Sequence, residues 1–293
     1  MSAAHEPEIA GPSGPDVRLE LPGRPENVAL VRQALAGLLD ALEVAPPLAA
    51  DLKIAVTEAC SNAVKHGYDD AAGPLEVTME LDGSILSVSV RDRGPGFKPL
   101  GGERDAVPFG FGLALIASLA DAFAIQGGVA GSEVLMSFDL SEGGEHPVVP
   151  RGASQLREQR SAPPTERTRT QVRPGPLVAP VLGRVVSLLA ARASFSIDRL
   201  SDAQLVSDAI AAHSSAHALD GHVSLAVEEE GERSLDLRIG PLVRGGGEGL
   251  VRDTELPGLG RLLEQLTDEL ATEPLAADPA GGELLRVRLS QSG

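Results

Sequence analysis

The chain has 293 residues, one cysteine, no tryptophan and a net charge of -17. That length allows one or two packed domains, and a single cysteine excludes an intrachain disulfide and points to a reducing, cytoplasmic setting. The acidic balance argues against DNA or RNA as a direct partner, since phosphate binding rests on Lys and Arg, and no apolar run nears the ~20 residues that a membrane span or anchor needs. With so few aromatics, Ala, Leu and Val must fill the core.

Residues 1–15 read as a flexible tail. Val17–Leu21 predicts a strand, Asn27 an N-cap, and the run to Leu42 a helix, which Pro46-Pro47 breaks. From Leu52 to His66 no Gly or Pro interrupts a second helix. On it Glu58, Asn62 and His66 follow one another a turn apart, so an acid, an amide and an imidazole share a face among Ala, Val, Ile and Leu. Polar groups on a half-buried helix need partners, which predicts a cavity or ligand there. Cys60, on the same helix, reads as a small buried hydrophobe rather than a reactive thiol.

Leu75, Val77, Met79 and Leu81 alternate with polar residues, Asp82-Gly83 signals a tight turn, and Leu86, Val88 and Val90 alternate again. This hairpin delivers Asp92 to the end of a strand, just before Gly94-Pro95-Gly96, where the backbone is free to approach a ligand. Residues 97–109 predict a mobile lid. Gly110-Phe111-Gly112 then opens an apolar helix from Leu113 to Leu119, whose free N–H groups suit phosphate. Ala122–Gln126 and Glu133–Leu140 are the last strands of this half.

Three of these stretches, Glu58-x-x-x-Asn62, Asp92-x-Gly94-x-Gly96 and Gly110-x-Gly112-Leu113, resemble the N, G1 and G2 boxes of the histidine-kinase-like ATPases. The variant Glu58-Ala-Cys-Ser-Asn62-Ala-Val-Lys-His66-Gly67-Tyr68 is similar to the anti-sigma factor serine kinases of bacterial partner switching. The resemblance covers residues 16–140. It implies the Bergerat fold, an α+β two-layer sandwich with a mixed, mainly antiparallel sheet and helices on one face. It also implies a bound ATP and Mg²⁺. Asp92 would accept a hydrogen bond from the adenine amino group, with Gly94 and Gly96 letting the backbone lie near the base. Asn62 would give an oxygen to Mg²⁺, while Gly110, Gly112 and Leu113 would hold the phosphates. Glu58 would be the general base toward a serine hydroxyl or a water. His66 fits equally a contact with nucleotide and plain packing at the helix end.

The implied activity is ATP-dependent phosphorylation of a STAS-type antagonist protein on serine, together with binding of a sigma factor or similar regulator. A non-catalytic module that holds ATP, or none, and sequesters a partner is the alternative. Other nucleotide and metal chemistries fit poorly: there is no Gly-x-x-x-x-Gly-Lys-Ser/Thr, no complete dinucleotide fingerprint, no zinc spacing and no nucleophile elbow. A sensor histidine kinase would place a phosphoacceptor helical hairpin before the ATPase unit, where only a short tail is seen.

Residues 141–180 are rich in Pro, Gly, Ser and Arg and read as a linker, better taken as a solvated tether than as a grip on the acidic domains. Residues 181–293 repeat the apolar pattern of the front half. Aligning Asn62 with His213 puts Ile54 on Leu205 and His66 on His217. Downstream, Val77, Met79 and Leu81 fall on Val223, Leu225 and Val227, and Val90 on Ile239; Ser132–Leu135 falls on Gly282–Leu285. The chemical positions do not recur: Glu58 becomes Ala209, Asn62 His213, Asp92 Pro241 and Gly110 Pro257. The expectation is a second, degenerate ATPase-like domain without a nucleotide site. Kinases of the resembled family pair through their first strand and helix, so an intrachain pseudo-dimer or a homodimer is expected.

Overall fold

The computed structural model describes residues 14–66, 73–94, 111–128, 131–141, 168–219, 223–228, 233–275 and 281–291. In the front half the chain runs β1 (Val17–Pro22), α1 (Val28–Ala41), α2 (Pro46–His66), β2 (Pro74–Asp82), β3 (Ile85–Asp92), α3 (Phe111–Leu119), β4 (Ala122–Gly128) and β5 (Gly131–Asp139). The back half runs β6 (Thr168–Val172), α4 (Val178–Arg192), α5 (Ile197–His217), β7 (Val223–Glu228), β8 (Ser234–Leu242), α6 (Gly246–Asp253), β9 (Glu255–Leu256), β10 (Gly260–Arg261), α7 (Leu262–Leu266), β11 (Glu269–Pro274) and β12 (Glu283–Ser290). α2 begins on Pro46 itself, since the first turn of a helix has no use for the missing N–H. Asn27 precedes α1 but does not cap it through its side chain; its Nδ2 donates instead to the Pro22 carbonyl at 2.9 Å.

Ten strands form one sheet in the order β11-β12-β8-β7-β6-β1-β2-β3-β5-β4. Every pairing among the described strands is antiparallel. The helices lie on one face, where Val17, Leu19, Leu21, Val77, Val88 and their back-half equivalents are buried in a single apolar cluster with α1, α2, α4 and α5. The other face carries charge, including Arg18 bonded to Glu76 at 2.6 Å. No described helix is long and apolar enough to cross a membrane.

The two halves meet at a seam between β1 and β6, where Val17–Glu20 face Val172–Arg169. Beneath it α1 crosses α4 so closely that a Cβ on Gly37 would lie 2.2 Å from the Pro180 carbonyl oxygen. Back-half arginines reach front-half acceptors along this seam. Arg173 bonds Asp16 at 2.9 Å, Arg184 pairs with Asp40, and Arg192 donates to Asn27 Oδ1 at 3.1 Å and to the Glu26 carbonyl. The expectation of a linker over 141–180 is therefore corrected at its end. Thr168–Val172 is a strand, with Thr168, Thr170 and Val172 turned inward, and α4 starts at Val178. Composition hid this strand, because two of its three inward residues are threonines. Arg169 and Arg173 are held against the acidic front half rather than solvated as a tether. Residues 142–167 lie outside the described residues.

The back half follows the strand-helix-helix-strand-strand-helix order of the front half and then adds β9, β10 and α7 before its last two strands, and some local detail recurs. α1 and α4 each end on a left-handed residue 151 positions apart, Glu43 at φ 52° and Ser194 at φ 57°. The bonds around these ends also match: Val44 N donates to Leu39 O at 3.0 Å, and Phe195 N to Ala190 O at 3.3 Å. α2 and α5 are both 21 residues long and end on His66 and His217. The pairing registers correct two of the sequence equivalences. Leu19 faces Val77 while its partner Thr170 faces Leu225, so Val77 corresponds to Leu225, not Val223. Similarly Val90 faces Val134 and Ile239 faces Leu285, so Val134 corresponds to Leu285 rather than Leu284. The first shift, of two, leaves a strand's inward face looking the same in sequence, and the second, of one, falls at the register irregularity between Glu283 and Leu285.

Candidate functional site

α2 carries Glu58 and Asn62 on a half-buried face, while Ala55, Ala59, Cys60 and Ala63 turn into the core. Burial pushes the Cys60 thiol up to about 12, which makes it an inert packing group as expected. The first turn of α3 lies directly over the polar row: a Cβ on Gly112 would sit 2.0 Å from Glu58 Oε1 and 3.0 Å from Asn62 Nδ2. A side chain there would have to displace the Glu58 carboxylate. Leu113 and Ile116 anchor α3 in the apolar cluster, so Leu113 has only its backbone to offer a phosphate.

Asp92 ends β3 opposite Leu75 and is 4% exposed. Its Oδ1 accepts from Gly94 N at 2.9 Å and Ser132 N at 3.4 Å. Burial raises the Asp92 pKa above the ordinary 3.8, although the bonds from Gly94 and Ser132 and the charge of Arg91 pull the other way. Gly94 is buried beside it. Two residues that sequence reasoning had not placed at the site complete this corner. Gly131 opens β5 at φ +123°, and a Cβ there would lie 2.1 Å from the Asp92 carbonyl oxygen. Ser132 supplies a backbone N–H and a side-chain hydrogen bond to the Asp92 carboxylate. The signal for them was faint: a Gly-Ser pair at the start of a strand, far from Asp92 in sequence. Gly96, Gly110, the lid expected over 97–109 and the His66 side chain lie outside the described residues.

In the back half, the alignment expected from the sequence sets Ala209 and His213 against Glu58 and Asn62, and Pro241 against Asp92. α6 packs over the end of α5 and the end of β8. Gly246 and Gly249 press on His217, where a Cβ on Gly249 would lie 2.6 Å from the ring Cε1. Gly247 N donates to Glu283 Oε1 at 2.7 Å, and His217 Nε2 meets Asp253 Oδ2 at 2.8 Å. Pro257, expected at the Gly110 position, lies in the turn between β9 and β10.

The front half, with its helix-borne acid and amide under a glycine-led helix, is an ATPase unit of the histidine-kinase type. Residues 21–138 match the profile of the histidine kinase-like ATPase domain. The serine-protein kinase RsbW of Bacillus velezensis is 32% identical over 123 residues, a match that takes in 38% of this chain and 77% of that protein. That of Bacillus subtilis is 31% identical over the same length, with the same coverage. The chain belongs to the anti-sigma factor serine kinase family. Among solved structures, the RsbU and RsbW domains of a Mycobacterium tuberculosis protein are 25% identical with a TM-score of 0.35, over 42% of this chain and 31% of that one.

Proposed function

We propose that this chain is an ATP-dependent serine kinase that binds a sigma factor or similar regulator and phosphorylates a STAS-type antagonist. The observation that carries this reading is the buried Asp92 carboxylate, held by Gly94 and Ser132 at the end of β3. A carboxylate at 4% exposure, fixed by these bonds, suits the amino group of adenine, and a base that set an acceptor there instead would meet it with repulsion. At Gly131 and Gly112 a Cβ would run into the Asp92 carbonyl and the Glu58 carboxylate, so these glycines let β5 and α3 close on the site residues. The buried Asp92 acceptor is the feature that fits a nucleotide base.

Bound ATP and Mg²⁺ would supply the transferable phosphoryl group and the charge that neutralises it. Asn62 would give its amide oxygen to the metal. Among the described residues no three His, Cys, Asp or Glu side chains gather as ligands, so the rest of the metal's shell would come from the nucleotide and water. Glu58, one turn away, would accept the serine hydroxyl proton at its carboxylate. The N–H groups opening α3 would face the phosphates, with Gly110 and Gly112 keeping that turn close. Gly96 would free the backbone beside the base, and His66 would border the nucleotide at the end of α2.

We further propose that the front domain spans residues 16–140 and the back domain starts near Thr168 as a degenerate second copy. In this reading the seam of β1 with β6 and α1 with α4 is a dimer interface closed within one chain. Incubating the full chain with labelled ATP and a purified STAS-type antagonist tests the kinase. Label on an antagonist serine, lost in Glu58→Gln, supports it. Nucleotide retention without transfer favours a sequestering module instead.

A further inference from the structure

Among the described strands the sheet ends on β4 at one side and β11 at the other, and the two edges are built differently. β11 carries Glu269 and Glu273, which reach Arg286 and Arg288 on β12, and it stops on Pro274. Charges and a proline on an edge keep further strands away. β4 has neither. It runs Ala122-Phe123-Ala124-Ile125-Gln126-Gly127-Gly128, and its register against β5 shows no shift. Alternate residues of an antiparallel strand turn their N–H and C=O away from the neighbour. None of the described strands takes these groups up on the far side of β4.

The lack of charge extends beyond the strand. From Phe111 to Gly128, through α3 and β4, Asp121 alone is charged, in a chain of which 23% is charged. Its Oδ2 is engaged by Asp139 N at 2.8 Å. On α3, which packs against β4, the exposed residues are Ala114, Ala117 and Ser118. A chain of net charge -17 repels its own copies over most of its surface. At this corner a basic partner would find only the engaged Asp121 carboxylate, whereas a second copy meets no repulsion.

We propose that β4 is a self-pairing edge, to which a second copy of this chain adds its own β4, antiparallel across a twofold axis. Overlap of all 7 residues centres that axis on Ile125. Phe123 then lies against Gly127 of the second copy, Gln126 against Ala124 and Ala122 against Gly128, while Ile125 meets its own equivalent. Phe123 and Ile125, half-buried at the rim of the apolar cluster, lose the rest of their exposure. The same antiparallel pairing joins β1 to β6 within the chain. The inference does not depend on the kinase reading, since β4 holds none of the nucleotide residues.

Sedimentation equilibrium of the full chain without nucleotide, from about 1 μM to 1 mM, tests it. One strand ladder with a helix alongside is a small interface, so a dimer with a Kd of about 1–100 μM is expected. It should tighten as salt rises, because the net charge of each copy is then screened. Ala124→Lys/Gln126→Lys sets lysines of both copies on facing rungs and should weaken the dimer at least about tenfold, with the melting temperature of the monomer unchanged. Should that pair melt early, Gln126→Lys alone is read instead. For the register, Ala124→Cys and Gln126→Cys proteins mixed under mild oxidation should form disulfide-linked dimers faster than either variant alone. Cys60 does not compete, being buried with its thiol pushed up to about 12. A chain that stays monomeric throughout, a dimer that the lysine variants leave intact, or mixed cysteines that couple no faster than separate ones overturns the proposal. A parent chain that binds no ATP would sink the kinase reading and leave this test intact.

Discussion

The front and back halves share a scaffold and differ at the ends of a few strands. Both pack two long helices on five strands, with α1 and α4 stopping on the same left-handed residue 151 positions apart. Yet where the front half buries a carboxylate at Asp92 beside Gly94 and Gly131, the back half has Pro241 and a helix lying across the gap. Scaffold positions need only an apolar side chain of suitable size, so Leu, Val and Ile interchange there at little cost. Site positions need one particular polar atom, and nothing in the packing of the back half preserves it. Glu283 bonding Gly247 N shows the outcome: a carboxylate of the chain itself sits at a helix N-terminus.

Substitutions can break this comparison at graded cost. Glu58→Gln should lower phosphoryl transfer by about 10²–10⁴-fold with ATP affinity nearly unchanged, read by single-turnover labelling; a substitution at Ala209, its counterpart in the sequence alignment, should leave transfer unchanged. Asp92→Asn should weaken ATP binding by about a hundredfold or more in calorimetry. The same titration on the parent should show one nucleotide per chain, and two would mean that the back half is open after all. Gly37→Ala sets a methyl against the Pro180 backbone and should destabilise the chain by about 1–3 kcal/mol in urea unfolding, by forcing the halves apart. The smallest effect is on pH. Because the folded pKa of Asp92 is raised, its neutral acid form contributes stability in full below the ordinary 3.8, and that contribution is lost as pH rises through the folded pKa and the buried group ionises. Asp92→Asn should therefore hold or raise the urea midpoint at pH 7, and ATP affinity of the parent should begin to fall at a higher pH than an exposed aspartate would give.

Much of the front half was legible because its signals are local. Alternation from Leu75 to Val90 with Asp82-Gly83 between them writes a hairpin without reference to the rest of the chain. Glu58 and Asn62 stand out as polar residues on an apolar helix. Gly131 and Ser132 were not legible as site residues, since their meaning comes from β5 lying against β3, a contact across 40 positions. β6 escaped because a threonine-lined strand resembles linker composition, and its reason to exist is β1 beside it. α6 escaped because Gly245-Gly246-Gly247 reads as a loop, and the helix is held by contacts distant in sequence: Leu250 and Val251 in the core, His217 and Glu283 against its glycines.

The seam between β1 and β6 removes a freedom that separate subunits would have. When two halves of a pair are covalently joined, their association no longer depends on how much protein is present, and dilution cannot part them. Among the described strands β1 and β6 are both interior and the edges of the sheet are β4 and β11, so the place beside β1 is already taken. On the proposed reading of the seam as an interface closed within one chain, one functional unit per translated chain, in a ratio set by the gene rather than by mass action, would follow from a few rungs of backbone pairing.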